Sequence, residues 1–241
     1  MARMNDAPEA PTAPLADDAG RDPDADRGAR HAAAQTLAQP LTLPCGVILP
    51  NRIAKSAMSE ILAVDHVPGE GLCRLYRRWS EGGVGLSITG NVMIDRRALG
   101  EPANVVLEDD GELAAFEAWA KAGSVAGNPL WMQLNHPGKQ SPRFLSSETV
   151  APSAVGFGPT LSKGFVVPRA LSEEEIEGLV QRFATSAALA QRAGFGGVQI
   201  HGAHGYLVSQ FLSPHHNVRT DGWGGSAEGR SRFVMEVYGA I

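Results

Sequence analysis

The sequence predicts a parallel α/β fold, and three observations carry that prediction. From residue 40 onward, short apolar runs alternate with longer segments of helical period. Polar residues suited to chemistry stand at the end of each apolar run. The glycine fingerprint of an open dinucleotide-binding sheet is missing after the first run, where the chain reads "SAMSEIL". Repeated strand and helix mean parallel βαβ units. An open doubly wound sheet and a β/α barrel both satisfy that pattern. The barrel is favoured because its active site sits at the C-terminal ends of the strands. Here those ends hold Ser56 and Ser59, then Thr89 and Asn91, then Gln133, Asn135 and His136, then His201 and His204.

The elements follow in order. "NRIAKSAM" (51–58) reads as the first strand. In "GLCRLYRRWSEGG" (71–83), Leu72, Leu75, Tyr76 and Trp79 fall on one helix face. "VGLSITGNVMI" (84–94) is a second strand. "DGELAAFEAWAKAG" (110–123) is a second helix, with Leu113, Phe116 and Ala120 aligned. "PLWMQLNHPG" (129–138) is a third strand that stops at Pro and Gly. The clearest helix is 171–194. Ser172 and Glu175 have capping-box spacing, Ile176, Leu179, Val180, Phe183 and Ala187 share a face, and Gly194 can end it. "FGGVQIHG" (195–202) is a fourth strand. A fourth helix covers 228–241, with Phe233, Val234, Val237, Tyr238 and Ile241 in phase. Residues 139–170 are too long for a plain βα loop and read as an excursion, of the kind a hairpin lid would make, over the same face.

Composition sets outer bounds. The chain has 241 residues, a net charge of -5 and 43% hydrophobic residues, an ordinary globular balance. Mild acidity gives no reason to expect a nucleic acid or membrane partner, and no apolar run reaches the ~18 residues of a membrane span. Cys45 and Cys73 form neither a CxxC pair nor a disulfide framework, which fits a reducing, cytoplasmic setting. Residues 1–36 carry seven acidic and four basic residues with almost no large apolar ones. They read as a disordered tail ahead of a domain spanning 37–241.

His201, His204 and Tyr206 crowd the end of the fourth strand. A zinc site is disfavoured, because no Asp or Glu lies between Arg192 and Arg219 and no HxH or HExxH occurs. Two imidazoles can instead donate to one oxygen and stabilise a forming enolate. A neighbouring phenol can protonate its carbon. Such a set suits reduction of a polarised double bond, and the hydride must then come from a cofactor.

Across residues 40–241, "NRIAKSAMSE", "RRWSEGGVGLSITGNVMIDRRALGEPANVV", "WMQLNHPGKQSPR", "VAPSAV", "PRALSEEEIE" and "AGFGGVQIHGAHGYLVSQFLSPHHNVRTDGWGGS" appear in order. Together they resemble the Old Yellow Enzyme family of NAD(P)H:flavin oxidoreductases. That resemblance implies an FMN-binding (β/α)8 TIM barrel, reduced by NADH or NADPH. It implies hydride transfer to activated C=C bonds of small molecules such as α,β-unsaturated carbonyl compounds. By motif, Ser56, Ala57, Met58 and Ser59 would lie against the flavin ring, with Ser59 where the family commonly has threonine or cysteine. Gly90 would end the second strand near the ring, and Gln133 would bond its pyrimidine edge. His201 and His204 would hold the substrate oxygen, with His201 also near the flavin, and Tyr206 would be the proton donor.

The chain departs from the pattern at three places. Gly229 replaces an asparagine in "EGR", which costs up to ~1 kcal/mol of helix propensity and removes a side-chain contact, and His215 and His216 read as solvated loop histidines. Four βα units are legible where the family has eight, so a partial barrel is expected, without the family's flavin-binding arginine and late phosphate-holding strands. The alternative is a noncatalytic fragment or half-barrel, paired with a second copy or with a complementing C-terminal half. Deleting residues 1–36 is expected to leave the melting temperature unchanged in a thermal scan, and a loss of several degrees would show that the tail packs on the domain.

Overall fold

A computed structural model describes residues 23–241. Its centre is a parallel sheet in the order β3 (Ala54–Lys55), β4 (Leu86–Met93), β6 (Leu130–Asn135) and β9 (Gly197–Ile200). A two-residue strand, β5 (Val105–Val106), adds to β4 in parallel, Val92 facing Val105. Ala54 faces Leu86, Ser87 faces Leu130 and Trp131 faces Gly197. Each crossover is a helix: α2 (Glu70–Glu81), α3 (Leu113–Gly123) and α4 (Glu173–Arg192). After β9 come α5 (Leu207–Leu212) and α6 (Ala227–Ala240). These are the four βα units that the hydrophobic period predicts. The short α5 is the one helix of this series that the pattern does not announce.

The first strand is much shorter than 51–58. Its backbone pairs only Ala54 and Lys55 with β4, and Ile53 O takes the Gly85 and Leu86 amides. Beyond Lys55 the chain leaves the sheet, and β4 itself shifts register between Ile88 and Asn91. On the other side of that strand start, β1 (Leu41–Thr42) and β2 (Ile48–Leu49) form an antiparallel hairpin. Leu49 packs with Leu86 and Ile88, joined by Leu41, Leu43, Ala57 and Trp131. The hairpin thus covers apolar side chains at the N-terminal ends of the strands.

The main core lies between the sheet and its helices. All eight residues of β4 are buried, as expected for a strand covered on both faces. Tyr76 and Phe195 both meet Trp119 edge-on, at 5.2 and 5.6 Å between ring centroids. The α4 face predicted from period is buried at all five positions. Its capping box is present in both directions: Glu175 N donates to Ser172 Oγ at 3.2 Å, and Ser172 N donates to Glu175 Oε2 at 2.8 Å. Gly194 follows with φ +90, a left-handed conformation that ends the helix at little steric cost. The predicted α6 face is only half used. Phe233 and Val237 are buried and Phe233 stacks on Phe211, but Tyr238 and Ile241 are exposed, because α4 and α5 meet one stripe only.

Two expectations need correction. Part of the segment read as a disordered tail is helical, α1 (Pro23–Leu37). Proline suits a first helical position and Ala32–Ala34 favour the helix, and the side chains from Arg30 to Leu37 are exposed. Residues 1–22 lie outside the described residues. The glycine of "EGR" is also more than a lost contact. A Cβ at Gly229 would overlap the Gly224 carbonyl, so the turn before α6 requires glycine there. The 139–170 excursion contains a 3-10 turn (Gly138–Gln140) and a two-stranded ladder of β7 (Val150–Ala151) and β8 (Arg169–Ala170).

Two measurements check this packing. Ser172→Ala removes the cap acceptor of α4 and should lower unfolding free energy in urea by about 1 kcal/mol. His136, at the exit of β6, is only 4% exposed, and burial pulls its pKa down to about 4, against the opposing pull of Asp95. The unfolded histidine, near 6.5, therefore binds a proton that the folded one refuses. Its contribution is intact above pH 6.5 and falls as pH drops toward 4, at up to ~1.4 kcal/mol per unit. From pH 7 to 5 the loss should be about 2 kcal/mol. His136→Asn should flatten the profile by that amount, and an unchanged profile would contradict the assignment.

Candidate active site

Parallel pairing sends the chain out of β3, β4, β6 and β9 on one side of the sheet, and the site is assembled from those exits. From β9, His201 follows directly and is buried, while His204 is exposed and Tyr206 half-buried. The rings of His201 and His204 are 5.2 Å apart and nearly perpendicular, and those of His201 and Tyr206 are 5.0 Å apart. The turn that gathers them is unusual. His204 has φ +59, a left-handed backbone that few side-chain-bearing residues adopt. Its carbonyl accepts from Gln140 Nε2 at 2.7 Å, which holds the turn from the excursion side. Strain of this kind persists only where the surroundings over-determine it.

Burial, with His204 nearby, draws the His201 pKa down to about 4, so its ring is neutral near pH 7. Ala203 N donates to His201 Nδ1 at 3.3 Å. The single proton of the neutral ring is then on Nε2, which can donate outward. Burial, then the charge of Glu101, raises the Tyr206 pKa above its usual value, so its hydroxyl keeps its proton. The trio therefore offers an imidazole N–H and a phenol O–H from one short segment.

The β6 exit carries Gln133, whose Nε2 donates to Gln199 Oε1 at 2.8 Å and whose backbone N donates to Thr89 Oγ1 at 3.0 Å. Asn135, two residues on and so on the same strand face, is 1% exposed. Neither amide atom of its side chain has a partner among the described residues. A buried polar group without a partner is rare and costly.

The β3 exit carries Ser56, Ala57, Met58 and Ser59. Ser56, Met58 and Ser59 are exposed, and Ala57 packs on the small apolar cluster below. Ser59 Oγ donates to Asn91 Oδ1 at 3.3 Å. Gly90 lies beneath this segment. A Cβ there would overlap Met58 O and the Glu60 carboxylate, and Gly90 N donates to Tyr76 OH at 3.0 Å. Gly90 thus touches the loop itself.

Sequence reasoning missed the cluster that holds this loop. Lys55 Nζ donates to Glu60 Oε1 (3.1 Å), Tyr76 OH (3.0 Å) and Ile88 O (2.9 Å), and lies 4.4 Å from the Trp79 ring centre. Tyr76 OH donates in turn to Glu60 Oε1 at 2.5 Å. Burial pulls the Lys55 pKa down, with Glu60 opposing it, and burial with Glu60 pushes the Tyr76 pKa up. Tyr76 reads in sequence as one more apolar position on a helix face. The overlooked signal was its hydroxyl, which needs a partner once buried. Gln199, a polar residue in an apolar strand two before His201, was similarly legible and unused.

With this geometry in place, the comparisons with known proteins are specific. A profile of the NADH:flavin oxidoreductase / NADH oxidase family matches residues 36–241. The NADH-dependent flavin oxidoreductase iliE of Hypocrea jecorina is 41% identical over 220 residues, which is 84% of this chain and 55% of that protein. Morphinone reductase superposes with a TM-score of 0.77 at 32% identity, over 85% of this chain and 57% of its own. The Old Yellow Enzyme homologue of Zymomonas mobilis gives 0.78 at 32% identity, over 85% of this chain and 59% of its own. The chain thus spans little more than half the length of these relatives, and its four βα units form part of an α/β barrel. On this evidence the chain belongs to the NADH:flavin oxidoreductase / NADH oxidase family.

Proposed function

We propose that this chain carries the substrate-oxygen pair, the proton donor and part of the flavin face of an FMN-dependent oxidoreductase that reduces activated C=C bonds. The observation that carries the reading is the gathering of His201, His204 and Tyr206 on a strained turn at the exit of β9. Family membership over residues 36–241 supports the cofactor. So does the donor set. The Asn135 amide, unpartnered among the described residues, and the Gln133 amide, whose Nε2 donates to Gln199, lie on one strand face and suit a ring edge that alternates donors and acceptors. Gln133 and Asn135 would hold that edge, and Ser56, Ala57, Met58 and Ser59 would border the ring from β3, with Gly90 fixing their height. When bound, FMN supplies the hydride taken from NADH or NADPH. The family is named for NADH as its reductant. A cytoplasmic setting belongs to the same proposal and rests on the two free cysteines, Cys45 and Cys73.

The chain's own residues do the rest. The Nε2–H of His201 donates to the carbonyl oxygen of an α,β-unsaturated substrate, and His204 closes on it from the exposed side. As negative charge grows on that oxygen, these donors stabilise it more than the ground state. The Tyr206 phenol, kept protonated by burial, passes its proton to the alkene carbon. A second reading is a half-barrel completed by another chain. It is favoured by β9, which pairs only with β6 among the described residues and whose residues are all half-exposed.

Titrating the purified chain with FMN and following flavin fluorescence and the visible spectrum tests the first reading. Saturable binding supports it. Binding that appears only in a dimer, or after a complementing half is added, supports the second. In the flavin-loaded protein, Tyr206→Phe should leave flavin reduction by NADH unchanged and slow alkene reduction by about 10²–10⁴-fold in stopped-flow. His201→Ala with His204→Ala should abolish phenol binding. Equal slowing of both half-reactions by Tyr206→Phe would overturn its role as proton donor.

A further inference from the structure

A cavity of about 540 Å³ opens between the excursion, the exits of β4 and β6, and α4. None of the residues proposed above for flavin or substrate lines it. Its volume lies within the usual range of small-molecule sites, about 300–1,000 Å³. Val150, Leu171 and Leu179 supply apolar wall, and Gly178 leaves the α4 side open, since nothing lies within 4 Å of an added Cβ there.

The polar lining is unbalanced in a telling way. Three carboxylates face the cavity, and each is engaged by the protein. Asp95 takes Arg97 Nε at 3.0 Å and Nη2 at 2.7 Å. Glu148 takes Arg169 Nε at 3.1 Å, and Glu175 takes Arg169 Nη1 and Nη2 at 2.8 Å each. Three donor groups, by contrast, make no hydrogen bond through their free donors among the described residues. Arg182 sits 3.6 Å from Asp95 and 3.7 Å from Glu108, attracted to both but within hydrogen-bond distance of neither. The Thr149 hydroxyl is buried without a partner, on a residue 4% exposed. His136 is also 4% exposed, and its Nδ1 accepts from Gly138 N at 3.0 Å, which puts the ring proton on Nε2 with no acceptor. His136 is close enough to Asp95, Arg182 and Arg97 to sense all three charges.

We infer that this cavity is a second ligand site, for a small organic acid whose carboxylate meets Arg182, His136 and Thr149 and whose apolar body lies against Val150, Leu171 and Leu179. A guanidinium, an imidazole N–H and a hydroxyl match the acceptor sites of one carboxylate. A phosphate dianion is disfavoured by the three carboxylates around it. The neutral His136 ring, drawn down to about 4 by burial, suits a donor role and adds no competing charge.

Isothermal titration of the purified chain with benzoate tests the site, with benzyl alcohol as the neutral comparator. Benzoate should bind saturably at one site, and benzyl alcohol at least about ten-fold more weakly. Arg182→Gln should weaken benzoate about ten-fold or more. Gly178→Leu should do the same by filling the α4 wall, and it favours the helix, so the fold is not at risk. His201→Ala with His204→Ala should leave binding intact. Absence of saturable binding by the native chain would overturn the inference. So would binding that survives both cavity variants, or binding lost with the two active-site histidines. Because none of these measurements needs flavin, failure of the oxidoreductase reading would leave them interpretable.

Discussion

Four strands leave the sheet in the same direction, and every functional loop therefore leaves from the same edge. Parallel pairing of β3, β4, β6 and β9 is what makes Gln133, Gly90, Ser59 and His201 neighbours although they are scattered over more than 140 positions. The pairing depends on burial. Strand β4 has no exposed residue, and slipping it by one position would exchange the side chains of its two buried faces. The crossovers follow from the same demand, since parallel neighbours need long connections and helices α2, α3 and α4 supply them with an apolar face each.

Around that sheet, polar burial is used where shape must be exact at a loop. Lys55, Glu60 and Tyr76 join the β3 exit to α2 and β4 through one ammonium, one carboxylate and one phenol. A buried ion pair is weak evidence for stability, because desolvation opposes the attraction. Its directional demands are strong, however. The three ammonium protons have three acceptors, and the glycine amide beneath completes the phenol's set. Any displacement of the 56–60 segment would strand a buried charge. A similar arrangement anchors the excursion: the largely buried Lys139 donates to the carbonyls of Val155 and Gly156 and lies 3.0 Å from His216 Nδ1. His216 is thereby a structural partner for an ammonium. His215, beside it, is exposed.

The two sites of chemical interest differ in what the protein leaves unspent. At the β9 exit, backbone strain at His204 is held by Gln140, and donors face outward. Under the excursion, each acid is paired, while Arg182, Thr149 and His136 keep donors without a hydrogen bond among the described residues. Native proteins pair nearly all buried polar groups, so the unpartnered Thr149 hydroxyl and the His136 Nε2–H on a cavity wall, beside the ion-paired and half-exposed Arg182, point to a ligand of complementary sign. Both sites owe their shape to the 139–170 segment. It supplies Gln140 to one and Thr149 to the other.

The sequence alone determined the four βα units, the α4 capping box and the crowding of His201, His204 and Tyr206. Each is written in local order: period, cap spacing and nearest neighbours along the chain. It determined family membership too, because the motifs stand in order over residues 40–241. What it could not supply were relations between distant segments. The β3 strand is confined to Ala54–Lys55 because only those residues pair with β4, a partner that local period does not report. Tyr76 looked apolar because its partners Lys55, Glu60 and Gly90 lie on other elements. Gly229 looked like a cost because the Gly224 carbonyl that forbids a Cβ comes close only once the turn folds. The charged cavity is made by four segments that meet only in space. Local periodicity reports which face is buried, and only the tertiary structure decides against what.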